Sequence, residues 1–309
     1  MTLQDSPKNT SCCVIIVTYN GEKWIKKCLE SILQATFCPK IIVVDNNSKD
    51  STLAIVDKFK EVEVIESNEN IGFGKANNIG IKYASQIGYK FFFLVNQDVY
   101  VELDTISKLI DSFYRTNFQY GLISPIHLNG VGVNLDAGFE KFMKSRNSSG
   151  FYKDYKNGRL SSTVYEVDFV NAAAWMLSSE CIDRVGLFHP LFSHYGEDDN
   201  YVERVKFLGL KTGVLASTSI RHDRDSRIKN SLRVNYKLRF RRTLLRMLVH
   251  PKNYSHTKIF FKTIIILITS RGRWPVLPDP GFCLWGMREF FRQKNIVSKY
   301  RDEVENDKN

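Results

Sequence analysis

Short apolar runs alternate with stretches of helical periodicity through the first half of the chain. Val14 to Val17, Ile41 to Val44, Val62 to Ile65, Phe91 to Val95 and Leu122 to Ile123 are short and bounded by polar residues, so they read as buried strands. Between them Trp24, Ile25, Cys28, Leu29, Ile32 and Leu33 recur at helical spacing, as do Ala76, Ile79, Tyr83, Ala84 and Ile87. Strict alternation of strand and helix predicts an α/β fold. Its crossovers are right-handed and its Rossmann-like sheet is mostly parallel, covered by helices on both faces. Ligands of such sheets bind beyond the carboxyl ends of the strands, which directs attention to the polar residues after each run.

The pattern weakens after Pro125. His127 to Thr163 is rich in Gly, Asn, Ser and Lys, and reads as a mobile loop over the site. Order returns with Val164 to Val170 and Ala172 to Leu177, an amphipathic stretch from Asp198 to Leu208, and a last short strand near Thr212 to Ala216. The α/β unit is expected over residues 12–226, after a flexible N-terminus of residues 1–11. A basic, mainly helical region follows over 227–309.

Charge sharpens that division. The chain of 309 residues carries a formal charge of +11, yet Arg221 to Arg301 holds 20 Lys/Arg against 4 Asp/Glu. The basic character therefore belongs to the C-terminal third. Six cysteines, with no CxxC pair, read as reduced thiols rather than a zinc site or disulfide framework. Met1 to Ser11 lacks the apolar core of a secretory signal, which favours a cytoplasmic protein. Ile259 to Ile268 is interrupted by Lys262 and is about half the ~20 residues a membrane span needs.

The first strand runs into Thr18-Tyr19-Asn20-Gly21 and the second into Asp45-Asn46-Asn47-Ser48-Lys49-Asp50-Ser51-Thr52. At that end of the sheet Tyr19 can stack on a nucleobase and Asp45 can accept the N3 hydrogen of a pyrimidine. Helix capping is the alternative use of Asn20, Ser48 and Asp50. Gly72 and Gly74 form a GxG ahead of a helical pattern, but Asn77 stands where a dinucleotide fingerprint has its third glycine. Asp98, in Asn96-Gln97-Asp98, offers one hard oxygen ligand after the fourth strand. Glu197-Asp198-Asp199 opens a helical stretch, where acidic residues also suit the macrodipole.

VIIVTYNGEKWIKKCLESI, IIVVDNNSKDST, ESNENIGFGKANNIGI and FFFLVNQDVYV, in this order, resemble family two glycosyltransferases, over roughly Cys13 to Arg224. The resemblance implies the GT-A fold, with a nucleotide-binding half near 12–125 and an acceptor-binding half near 126–226. It implies inverting transfer from a UDP- or dTDP-sugar, with Mg or Mn neutralising the departing diphosphate. Thr18, Tyr19, Asn20, Asp45, Asn47, Asn70, Gly72, Lys75, Asn77 and Gln97 would bind the donor, with Lys75 near the phosphates. Asp98 would hold the metal; Asn96, where the family usually has a carboxylate, departs from the pattern. His222 would face metal or diphosphate, a neutral imidazole being a competent ligand.

HYGEDDNYVERVKFLG resembles the family's second acidic motif, which makes Asp198 the general base on the acceptor hydroxyl and Glu197 its orienting neighbour. Trp175, in a small-residue stretch, is the candidate acceptor platform. The resemblance points to a lipid-linked cell-surface glycan as acceptor, with rhamnose or galactose among the sugars to consider. A nucleotide-sugar-binding scaffold on the same fold is the alternative, and a Rossmann oxidoreductase the weaker rival.

Residues 233–246 interleave Arg233, Lys237, Arg239, Arg241, Arg242 and Arg246 with aliphatic and aromatic side chains, and more aromatics follow through Trp274 and Trp285. Such a mixture suits an anionic membrane surface, each basic side chain contributing about 1 kcal/mol there. With no nucleic-acid-binding motif, attachment at the inner face of the cell membrane is the favoured reading. A packed helical appendage or a homodimer surface is the other.

Overall fold

The structure is a computed structural model that describes residues 12–145, 148–193, 195–224, 236–269 and 280–306. β1 (Cys12–Thr18), β2 (Lys40–Asp45), β3 (Val62–Glu66) and β4 (Phe91–Asn96) lie in the order β3-β2-β1-β4 and are all parallel. α1 (Ile25–Leu33), α2 (Thr52–Val56) and α3 (Phe73–Ile87) make the crossovers. Successive strand residues feed opposite faces. Cys13 and Ile15 join Ala76, Ile81 and Ala84 of α3, whereas Val14 and Ile16 join Ile25, Cys28, Leu29 and Ile32 of α1. Gly80 lets α3 lie close on β1, since a Cβ there would run into Ile15.

Beyond β4 the sheet becomes mixed. β5 (Val99–Val101), α4 (Thr105–Arg115), β6 (Tyr120–Asn129), α5 (Ala137–Met143), α6 (Ser149–Lys156), β7 (Val164–Glu166), β8 (Ala174–Ser178), α7 (Ser179–Val185), α8 (Glu197–Phe207) and β9 (Lys211–His222) follow. The path continues β4-β8-β6-β9-β5, with β8 antiparallel to β4 and β6, and β5 antiparallel to β9. β6 and β9 pair in parallel, and β7 adds to β9.

Two expectations are corrected. The segment 127–163 is no open loop: β6 runs to Asn129, and α5 and α6 dock on the sheet. Asp136 caps α5 by accepting a hydrogen bond from Phe139 N at 2.9 Å, and Phe139, Met143 and Phe151 are all buried. Phe139 and Phe151 meet edge-on at 5.8 Å. The helices are only 7 and 8 residues long, too short for their period to show among the polar residues. The last strand is also longer than its apolar run. Thr218, Ile220 and His222 continue its inward-facing alternation past Ala216.

α9 (Tyr236–Leu248), α10 (His256–Thr269) and α11 (Pro280–Asn306) build a third core from Phe240, Leu244, Leu248, Ile259, Leu267, Phe290 and Val297, joined by Phe192. Among the described residues no helix is long and apolar enough to cross a membrane. Met1 to Ser11, the expected boundary near Ser226, Arg233 and Trp274 lie outside the described residues.

If α6 is a docked element, Phe151→Ala leaves a cavity, and a loss of about 3–5 kcal/mol is expected in denaturant unfolding. A loss below ~1 kcal/mol would show the segment to be loosely held.

Candidate active site

A cleft of about 700 Å³ opens where the carboxyl ends of β1, β2 and β4 face the start of α8. Tyr19, Asn46, Asn70, Phe73, Asn96 and Gln97 line one side. Glu197, Asp198 and Asp199 stand on the other, with His222 at the end of β9. The two sides meet closely. Gly72, at φ +87°, leads into α3 where any Cβ would collide with the carbonyl oxygen of Ser193, and a Cβ on Gly74 would sit 3.4 Å from that of Glu197.

The loops after β1 and β2 are stapled by their own polar side chains. Gln97 Oε1 accepts from Thr18 Oγ1 at 2.6 Å and Tyr19 N at 2.9 Å. Asp45, 1% exposed, accepts from Ser48 N at 2.9 Å and from the Ser48 hydroxyl. Asn20 and Asn47 take left-handed backbone conformations, φ +47° and +66°, and Asn20 Oδ1 accepts from Lys49 N at 2.8 Å. Asn46, missed in the sequence, donates to Asn70 Oδ1 at 2.9 Å and accepts from Ile71 N at 2.8 Å.

Several expected positions are therefore absent from the cleft wall. Thr18, Asn20, Asp45 and Asn47 hold the loops behind Tyr19. Asn77 is buried and donates to Phe73 O at 3.0 Å, Gly72 shapes the turn, and Lys75 is exposed without lining the cleft. Trp175 is a correction. It is 0% exposed, stacked on Phe188 at 6.2 Å and tilted against Tyr201 at 6.0 Å, so no sugar can reach it. Tyr195, 60% exposed at φ +63°, lines the cleft beside Glu197 and Asp198.

Behind the cleft the two halves share a buried polar row. β5 pairs with β9 so that Val99 lies opposite His222, which brings the preceding Asp98 to 3.5 Å from His222 Nε2. Asp223 N donates to Asp98 O at 2.8 Å and ties the strand ends together. Asp136 Oδ2 lies 3.8 Å from His222 Nδ1, and its Oδ1 accepts from Arg224 at 2.7 Å. Asp136 was hidden in the segment taken for a loop. Asp98, Asp136 and His222 are all 2% exposed or less, and neither ring nitrogen of His222 makes a hydrogen bond.

Residues 13–165 match the model of Glycosyl transferase family 2. The chain belongs to that family. It is 33% identical over 129 residues to the poly(ribitol-phosphate) β-N-acetylglucosaminyltransferase TarS of Staphylococcus aureus, a match covering 39% of this chain and 22% of that protein. It is 24% identical over 201 residues to a low-salt glycan biosynthesis hexosyltransferase of Haloferax volcanii, covering 65% of this chain and 63% of that one. The chain thus matches less than two thirds of the length of either relative. In fold it resembles TarS 1–349 in complex with UDP-GlcNAc, with a TM-score of 0.55 at 17% identity over 95% of this chain and 92% of that one. A Pyrobaculum calidifontis mannosyltransferase in complex with GDP-Man and Mn2+ gives 0.54 at 15% identity, over 95% and 77%.

A family 2 site commonly works with a divalent cation, and the residues at the strand ends fit one held jointly with phosphate. Asp98 offers hard oxygens, and His222 offers a ring nitrogen that no hydrogen bond occupies. Among the described residues no group of three or more His, Cys, Asp or Glu could hold an ion alone. That sparse donor set suits Mg or Mn, which keeps waters and shares substrate phosphates.

On the opposite side α8 begins at Gly196, φ +97°. Burial raises the carboxyl of Asp198, and backbone N–H groups, Asp199 N at 2.8 Å among them, pull it back. Burial pushes Glu197 up to about 7, against the charge of Arg242 and with that of Asp198, and its Oε2 accepts no hydrogen bond.

α9 gives part of the basic region a place in the cleft. Arg239, Arg242, Thr243 and Arg246 line it, while Phe240, Leu244 and Leu248 on the opposite face fill the helical core. These arginines lie beyond the matched residues 13–165, and their spacing of three, four and seven was the signal available in the sequence.

The raised Glu197 has a stability consequence. In the unfolded chain a glutamate ionises near 4.5, so its contribution is full below that pH and is lost as pH climbs through about 7. Glu197→Gln is expected to stabilise the protein at about pH 8, by up to about 3 kcal/mol, with the gain shrinking towards about pH 5. A difference that stays constant between those pH values in denaturant titrations would place the ionisation elsewhere.

Proposed function

We propose that this cleft transfers a hexose or deoxyhexose from a UDP- or dTDP-sugar to an acceptor hydroxyl, with inversion, in building a cell-surface glycan. One observation carries the reading: His222, at the end of β9, and Asp198, at the start of α8, line the same cleft, and Asp98 stands buried behind that wall, 3.5 Å from His222. The named substrates of TarS and of the mannosyltransferase, both nucleotide sugars in their complexes, support a donor of that class.

In this reading Tyr19 stacks on the base, and Asn46 and Asn70 form the polar wall beside it. Asp98 and His222 are the residues that would hold a divalent cation, and such a cation would supply positive charge to the leaving diphosphate. Asp136 receives the far side of the His222 ring and Arg224 fixes Asp136, an arrangement that orients a metal-binding imidazole. Asp198 takes the proton of the acceptor hydroxyl as the new bond forms, from the side opposite the departing group. Glu197, uncharged up to about pH 7, can donate a hydrogen bond to the acceptor.

Asp198→Asn keeps the shape of the base and removes its basicity, so transfer should fall ~100- to 10,000-fold with donor binding retained. Asp98→Asn should instead abolish the response of donor binding to Mg or Mn. Near-normal transfer by Asp198→Asn, measured by product formation, would assign the base elsewhere.

Attachment to an anionic membrane belongs to α10 and α11 in this reading. Lys258, Phe261, Lys262 and Ile265 share one exposed face of α10, and Leu284, Arg288 and Phe291 one of α11. Phe261 and Ile265 are 59% and 56% exposed, beside lysines that complement anionic headgroups. Replacing Phe261 and Phe291 by Ser should release the protein from anionic vesicles, and salt should do the same to the parent, since charges are screened within about 8 Å at physiological ionic strength. Equal binding to neutral and anionic vesicles, or a dimer that the double variant dissociates, would refute this.

A further inference from the structure

We infer that Arg246 of α9 is a positioning residue for the general base: it pairs with the neighbouring carboxylates of α8, so that Asp198 can carry its negative charge beside them. The inference rests on the reading of Asp198 as the base.

α8 opens with three carboxylates in a row, Glu197, Asp198 and Asp199, and Glu203 follows one turn beyond Asp199. A helix start favours acidic side chains, but like charges this close oppose one another's ionisation. Burial adds to that opposition. It pushes Glu197 up to about 7 and Asp199 up to about 6, and it raises Asp198 as well. A carboxyl that stays protonated cannot take the proton of an acceptor hydroxyl, so the base needs a cation close by. The basic side chains of α8 itself are turned elsewhere: Arg204 donates to the carbonyls of Val185 and Leu187, and Lys206 pairs with Asp168.

α9 supplies the cation. Phe240, Leu244 and Leu248 bury one face of this helix in the C-terminal core, and Arg242 and Arg246 lie on the face that lines the cleft. The approach to α8 is close. Arg242 Cβ lies 3.9 Å from where a Cβ on Gly196, the residue before α8, would stand. One turn further along α9, Arg246 Nη1 lies 3.0 Å from Asp199 Oδ1, and Nη2 donates to Glu203 Oε1. The planar fork of an arginine can span two carboxylates in this way. Those bonds fix Arg246 beside the start of α8 where, against the burial, its charge draws both Asp198 and Asp199 down.

The other groups that face Asp198 act around this one. Glu197 precedes it, uncharged up to about pH 7, and the charge of Arg242, over the Tyr195 ring at 4.3 Å, is felt by both. The backbone of Asp199 and that of Ala172, ahead of β8, hydrogen-bond to the Asp198 carboxylate. His222, Arg224 and Arg239 line the same cleft.

Merely holding α9 on α8 would use the same ion pair, so the test breaks that pair from each end. In an NMR titration of the full chain, isotope-labelled at its aspartate carboxyls, the Asp198 signal is the one absent from Asp198→Asn. Arg246→Gln removes the cation, so the Asp198 midpoint should rise by about 0.5 to 1 pH unit, a modest shift because the pair is partly exposed. Asp199→Asn removes a like charge and leaves Arg246 to Asp198, so the midpoint should fall. Arg246→Lys should stay nearer the parent, and it covers the case of a Gln variant that fails to fold. Arg241→Gln takes the same charge from the same helix, at a residue paired with Glu289 of α11, and should leave the midpoint in place. Shifts of the same sign from both ends of the pair, no shift at all, or an equal shift in Arg241→Gln would overturn the proposal. The titration needs no substrate, so a failure of the base assignment shows separately, as near-normal transfer by Asp198→Asn.

Discussion

The antiparallel pairing of β5 with β9 joins the first half of the sheet to the last strand of the second at one edge of the cleft. Because Val99 lies opposite His222, a carboxylate that follows β4 and an imidazole that ends β9 become neighbours although 124 residues separate them. Burying two such groups is costly in isolation, and the row from Arg224 through Asp136 offsets that cost with opposite charge. The ends of β4, β5 and β9 and the cap of α5 all converge on this row. A change in register of either strand would turn Asp98 or His222 to the other face and dissolve the site.

The α/β half was legible because its chemistry is local. Buried parallel strands read as apolar runs, and α1 and α3 show the period of one buried face. In the second half β7, β8, α8 and the start of β9 were legible too, but the mixed pairing of the strands was not, and β9 runs beyond its apolar core past Ala216. α5 and α6 escaped because a few aromatics in short helices carry their burial. Trp175 was misplaced for a related reason: a tryptophan beside small residues looks the same in sequence whether it faces a sugar or, as here, Phe188 and Tyr201.

The site residues divide along the same line. Tyr19, Asn70, Gln97, Glu197, Asp198 and His222 were found from their places after strands or at a helix start, and all line the cleft. Asp136 and the arginines of α9 could not be found that way. Their role depends on tertiary docking, in which an aliphatic face buried in the C-terminal core fixes where the opposite, basic face points. The surplus of positive charge in that region therefore has two destinations, the cleft wall on α9 and the exposed faces of α10 and α11.

The most direct measurement is binding of UDP and dTDP to the intact protein by calorimetry, with and without Mn. A site in which Asp98 and His222 share a cation with a diphosphate predicts that one of these nucleotides binds much more tightly when the metal is present, and that NAD does not compete. Binding that ignores the metal, or tight binding of NAD in its place, would contradict it.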